Sequence, residues 1–167
     1  MRAKNQLIKR KQVLVRAFDA LQELDRVVDI AQRPTQDDFQ ISVLGKLENE
    51  GFHDDDRILP RINEIRQHWQ GKLGKKSDFG WFRNQEIGAL FIAGSMAPIF
   101  MHPIDGKTLG AMSSGPYGIL RGLGIGEEKV MDHINKLLKG ELLLIIRGHR
   151  FDLEHLADQI DTLERAG

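Results

Sequence analysis

The fold is decided by residues 12–43, QVLVRAFDALQELDRVVDIAQRPTQDDFQISV, which place a helix pattern between two strand patterns. Side chains alternate between two faces through Gln12–Phe18 and again through Phe39–Val43, as they do in a strand. Asp19 can cap the intervening helix, which is expected to end before Pro34. The apolar face of that helix consists of Leu21, Leu24, Val27 and Val28. The length permits two parallel strands joined by a crossover helix, so this stretch predicts a βαβ unit.

The last third of the chain carries a helix, a strand and a second helix. Glu127 and Glu128 suit the positive end of a helix dipole, and apolar side chains within Val130–Leu138 give that helix one buried face. Leu142–Ile146 is a continuous aliphatic run, which is typical of a strand covered on both faces. A final helix is expected from Asp152. Together with the opening unit, these patterns predict an α+β fold.

Residues 46–86 interrupt this order of elements. One stripe of a predicted helix carries Ile58, Ile62, Ile65 and Trp69. His53–Asp56 would cap that helix, and the polar stretch 71–80, rich in Lys and Gly, is expected to be a loop. We therefore expect one domain, residues 1–167, with a helical and loop insertion at residues 46–86.

The composition excludes several classes of protein. A chain of 167 residues buries roughly two thirds of its unfolded surface, so it needs no disulfide or metal in order to fold. The absence of cysteine excludes disulfides and thiolate chemistry and agrees with a reducing compartment. Lys plus Arg equals Asp plus Glu at 24 each, so no global field attracts nucleic acid, and we expect no nucleic-acid partner.

Two segments bear on where the protein is located. The basic N-terminal arm is not followed by the apolar stretch of a secretory signal, which favours a cytoplasmic protein. Ile87–Ile104 is uncharged, and its length reaches the lower limit for a transmembrane helix. Pro98 and Pro103 interrupt it, so a buried strand and turn is expected there, and a membrane association through Ile87–Leu120 remains the lesser alternative.

Several short motifs resemble one known family. Leu123–Glu128 resembles a turn of the bacterial general-stress and low-temperature-induced proteins, in which Leu-Gly-Ile-Pro precedes acidic residues; Gly126 stands here in place of that proline. Ile41–Lys46, Phe91–Gly94 and Leu142–Gly148 resemble the family's second strand, its middle and its closing strand. The resemblance implies a ferredoxin-like βαβ…βαβ core, an association with stress, and no catalytic residues to carry over. The helix expected from Asp152 would be added to the C-terminal end of that core.

The strongest candidate site is the glycine-rich turn before the helix at Glu127. Gly122, Gly124 and Gly126 could present backbone N–H groups to a phosphate, and Lys129 could assist them. The spacing is not that of a dinucleotide-binding loop, and a tight turn into a helix explains the same residues. A second basic stretch, Gly71–Ser77, lacks Ser or Thr directly after its Gly-Lys pair, so a solvated loop is expected there.

No pattern for metal binding or catalysis accompanies this turn. The six histidines do not show the spacing of a metalloenzyme, although His149 and His155 flank the start of the last helix. Ser113 and Ser114 precede Gly-Pro and do not form a nucleophile elbow. We therefore expect no enzymatic activity, no cofactor and no metal.

These observations favour a non-enzymatic, stress-associated protein that acts by self-association or by binding a protein partner or a small ligand. The alternative is a metabolite- or phosphate-binding regulator, or an enzyme, that uses the turn at residues 122–129. A homodimer is expected, because Leu14, Phe18 and Leu44 place apolar side chains on the second face of the sheet. The predicted helices Arg57–Trp69 and Leu153–Leu163 could cover part of that face.

Overall fold

A computed structural model describes residues 11–33, 39–47 and 55–166. Its strands are β1 (Lys11–Phe18), β2 (Gln40–Lys46), β3 (Phe79–Asn84), β4 (Gly88–Gly94), β5 (Pro103–Ile104), β6 (Lys107–Thr108) and β7 (Leu142–His149). Its helices are α1 (Leu21–Ala31), α2 (Asp55–Leu73), α3 (Ala97–Phe100), α4 (Gly115–Gly122), α5 (Glu127–Leu138) and α6 (Arg150–Ala166). The basic N-terminal arm, Pro34 and the proposed cap at His53 and Asp54 lie outside the described residues.

The main sheet has five strands in the order β1-β7-β2-β4-β3, and every neighbouring pair is antiparallel. β1 and β2 are therefore parallel to each other with β7 between them, as the predicted crossover requires. β4 and β7 are likewise parallel with β2 between them. Two interleaved βαβ units thus form an α+β fold of the ferredoxin-like class, and that prediction is confirmed.

Both faces of the sheet are covered by helices. α1, α2 and α6 pack on one face, against side chains such as Val43, Leu144 and Ile146. α3, α4 and α5 pack on the other face, against Leu44 and Ile145 among others. Because β2 and β7 are buried on both sides, they read as apolar runs without a polar face. Ile41 and Val43 of β2 and Leu143 and Ile145 of β7 are all buried in this sheet.

Residues 46–86 contribute more to the sheet than the sequence indicates. α2 continues to Leu73, so the connection after it is confined to residues 74–78, shorter than the predicted loop. β3 then pairs with β4 and forms one edge of the sheet. Trp81 and Phe82 lie within this strand. The two helices proposed as cover, α2 and α6, share their face with α1.

The apolar run Ile87–Ile104 forms β4, the short helix α3 and the small strand β5, as expected of a buried strand and turn. In the part of the chain that the structure describes, no helix is long and apolar enough to cross a membrane. α4 was not predicted, because four of its eight residues are glycine or proline, which have the lowest helix propensities.

Candidate functional site

A groove of about 1200 Å³ follows the length of β1. One wall is the strand itself, residues 11–17, and the other is formed by the turn Gly122–Gly126 and the start of α5. Arg147 of β7 and Glu164 of α6 complete the lining. The glycine turn and the edge of the sheet, which are far apart in sequence, therefore face each other across one opening.

Five residues of α5 line the groove, and three of them lie on one face of the helix because of their spacing. Lys129, His133 and Lys136 lie at positions i, i+4 and i+7, which share one helix face, and all three line the groove. α5 connects to β7 through residues 139–141, so it runs back over the sheet and its first turn lies towards the end of β7. Arg147 is located at that end, opposite Val13 of β1.

The turn before α5 contains one glycine that the backbone requires and two that it does not. Gly124 has φ of +94°, a conformation that side chains disfavour, and its N–H donates to the Arg121 carbonyl at 3.0 Å. A Cβ added to Gly122 or Gly126 would meet no atom within 4 Å. Gly126 precedes α5 without a side-chain cap. These two glycines therefore leave the backbone open towards the groove.

The groove has an excess of positive charge. Its basic residues are Lys11, Arg16, Lys129, Lys136 and Arg147, and its acidic residues are Glu128, Asp132 and Glu164. Arg16 contacts Asp161 at 3.4 Å, and Lys136 contacts Asp132 at 3.0 Å.

The remaining three basic residues, Lys11, Lys129 and Arg147, form no ion pair with any residue that the structure describes. They are therefore the cations of the groove that are not neutralised by a neighbouring carboxylate.

His133 is the titratable group that the groove perturbs. Burial lowers the pKa of His133 below its ordinary value of 6.5, because desolvation disfavours the charged imidazolium. Asp132 acts in the opposite direction, and the positive charges of Lys136, Lys129 and Arg16 add to the lowering. Its buried Nδ1 atom has no hydrogen-bond partner in the described part of the chain. Burial and the neighbouring positive charges therefore both favour the neutral form of the ring.

All four residues predicted from the sequence line this groove: Gly122, Gly124, Gly126 and Lys129. Sequence reasoning missed Lys136 and Arg147. The spacing of Lys136 from Lys129 could have predicted its position, since residues seven apart lie on the same face of a helix. The position of Arg147 opposite β1 depends on pairing between the two ends of the chain, and no local pattern reports that.

The other sequence candidates lie elsewhere. Gly71–Ser77 is not part of the groove, and the Ser77 hydroxyl donates to the Gly74 carbonyl at 2.6 Å, within its own turn. His149 ends β7, where its Nδ1 is buried, and His155 lies on α6. Among residues 11–33, 39–47 and 55–166, no three His, Asp or Glu side chains are grouped so that they could hold a metal ion.

Two buried polar side chains have structural roles. The Asn84 amide donates to the carbonyls of Gly110 and Met112 at 3.0 Å each, and its oxygen accepts from the N–H of Glu86 and Ile87. Ser42 accepts from the Met96 N–H at 2.9 Å. Both side chains are satisfied by the protein itself, which leaves the groove along β1 as the candidate site.

No protein family model matches this chain, and no curated protein or solved structure matches it either.

Proposed function

We propose that this protein is a non-enzymatic binding protein whose groove along β1 takes a small anionic ligand at the first turn of α5. The observation that carries the proposal is the convergence of the predicted turn, residues 122–126, with Lys129 and Arg147 in one groove. Neither cation is paired with a described carboxylate. A bound anion would supply the missing negative charge.

The first turn of α5 adds backbone donors to these cations. The first N–H groups of a helix have no partner within the helix, and no side chain caps α5. Glu127 and Glu128 also lie in this turn, and Glu128 lines the groove, so part of the positive field is already offset. The site therefore suits a small, compact anion such as a phosphate group or a carboxylate.

The groove offers little support for catalysis. His133 is its one group with a shifted pKa, and neither ring nitrogen is hydrogen-bonded to a described residue. Many catalytic sites pair a base with an orienting group and a nucleophile, and among the described residues His133 is hydrogen-bonded to neither. A binding role accounts for the residues of the groove without an orienting partner for His133 or a nucleophile.

The proposal is tested by isothermal titration calorimetry with pyrophosphate at low ionic strength, and with citrate as a carboxylate anion. Loss of a charged hydrogen bond is worth about 1.5–3 kcal/mol, so Lys129→Ala and Arg147→Ala are each expected to weaken binding by about tenfold or more. Lys76→Ala is the matched control, because Lys76 is also exposed and lies in the other basic stretch.

Two results would refute the anion site. One is the absence of binding heat with both anions in the unmodified protein. The other is a loss of affinity in Lys76→Ala as large as in Lys129→Ala, which would indicate unspecific attraction to exposed lysines.

The resemblance of residues 123–128 to the general-stress family supports a second proposal, that the protein has a stress-associated role in the cytoplasm. The Pro-interrupted segment 87–104 supports a location away from the membrane, because a kinked segment leaves backbone groups unsatisfied in lipid. Cell fractionation is expected to recover the untagged protein in the supernatant. Recovery in a membrane pellet that resists high salt would contradict this location.

A further inference from the structure

β1 is an edge strand that offers its outer side for pairing. β7 is its one partner among the described strands, so alternate N–H and C=O groups along the other side of β1 point away from the sheet. The strand contains no proline, and three of its apolar side chains, Val13, Leu14 and Ala17, are only half-buried. Such an edge can accept another strand.

The opposite edge of the sheet is β3, where two arginines lie over aromatic rings. The guanidinium of Arg66, from α2, lies 5.1 Å from the centre of the Phe79 ring, and that of Arg83, on β3, lies 5.6 Å from the centre of the Trp81 ring. Charged side chains on an edge strand discourage further pairing, and Arg83 is such a residue of β3.

The sequence of β1 is self-complementary in one antiparallel register. If Val15 lies opposite Val15 of a second copy, Val13 lies opposite Ala17 and Leu14 opposite Arg16. In the same register, Lys11 lies opposite Asp19, twice by symmetry. Lys11 and Asp19 are both exposed, and neither is paired with a described residue.

A register shifted by two residues, which keeps every side chain on the same face of the sheet, is less favourable. With Leu14 opposite its copy, Lys11 lies opposite Ala17 and Gln12 opposite Arg16, so neither copy gains a charge pair. Opposite charges in directly facing positions stabilise a strand pair, which favours the register centred on Val15.

We propose that two copies of this chain associate through β1, with Val15 on the two-fold axis and Lys11 of each copy facing Asp19 of the other. The main sheet then continues from one copy into the next, and the half-buried apolar side chains of β1 become covered. The second strand lies along the β1 side of the groove, and the contacts in this register involve neither Lys129 nor Arg147. The dimer does not depend on the anion site.

Light scattering coupled to size exclusion at micromolar concentration tests the assembly, with twice the chain mass of 19.0 kDa expected. Lys11→Glu and Asp19→Lys each place like charges opposite one another twice, so each is expected to weaken the dimer by about tenfold or more. The double variant restores opposite charges and is expected to recover the dimer. Lys107→Glu, an exposed change away from β1, is the matched control.

Cysteine cross-linking tests the register directly, because the chain has no cysteine of its own. Lys11→Cys mixed with Asp19→Cys is expected to form a disulfide-linked dimer on mild oxidation, whereas either protein alone is not. A monomeric mass at all concentrations would overturn the proposal and leave the edge to another extended segment. A dimer that is indifferent to the charge changes and does not cross-link would overturn it as well.

Discussion

At the scale of single residues, His133 couples the groove to pH. Its ring lies on the face of α5 that also carries Lys129 and Lys136, and burial lowers its pKa. The unfolded chain has no such burial, so its histidine retains the ordinary value of about 6.5. As the pH falls below about 6.5, the unfolded state binds a proton before the folded state does. Acidification therefore lowers the contribution of His133 to the stability of the folded state.

We expect the free energy of unfolding to fall as the pH falls below about 6.5, and His133→Gln to remove part of that fall. Above that pH neither state carries the proton, so the contribution of His133 is constant. Urea unfolding at several pH values measures the slope. His102→Gln is the control, because His102 is exposed. An unchanged slope in His133→Gln would show that burial does not lower the pKa of this ring.

At the scale of elements, β7 is the strand on which both layers of helices depend. It lies between β1 and β2, and its side chains alternate between the two apolar clusters. Ile145 is 1% exposed and belongs to the cluster beneath α5. A cavity there would affect the strand that both βαβ units share.

Ile145→Ala is expected to lower the free energy of unfolding by about 2–5 kcal/mol, and Ile145→Val by about 0.5–1.5 kcal/mol. The difference reflects the volume of the cavity that remains, and urea unfolding measures both variants. Leu59→Ala removes a similar amount of side chain from an exposed position, 48% exposed on α2, and is expected to change stability by less than about 0.5 kcal/mol. Equal losses in Ile145→Ala and Leu59→Ala would contradict the buried position of β7.

The elements differ in how far the sequence predicted them. The alternation in Gln12–Phe18 and the run Leu142–Ile146 predicted β1 and β7, because burial on one or two faces leaves a direct pattern. β3 was missed, since its six residues, FGWFRN, mix glycine, aromatic and polar residues without clear alternation. The turn at Gly124 was readable because a positive φ favours glycine.

At the scale of the whole molecule, the sequence did not predict which elements become neighbours in the fold. The pairing of Val13 with Arg147 brings a cation into the groove, and its cause is the position of β7 beside β1. The cover on the second face comes from α3, α4 and α5, of which only α5 had a clear apolar stripe. Strand order and helix placement are thus properties of the assembled sheet, which local periodicity does not encode.

The pairing of β1 with β7 has a consequence for synthesis of the protein. Lys11 lies opposite His149, so this strand pair joins residues that leave the ribosome at very different times. Contacts between distant residues form slowly, because a long loop must close before any of them is gained. β1 therefore emerges early, and both of its edges stay unpaired until β7 has been synthesised. In that interval a chaperone that shields extended apolar strands would protect the nascent chain from aggregation.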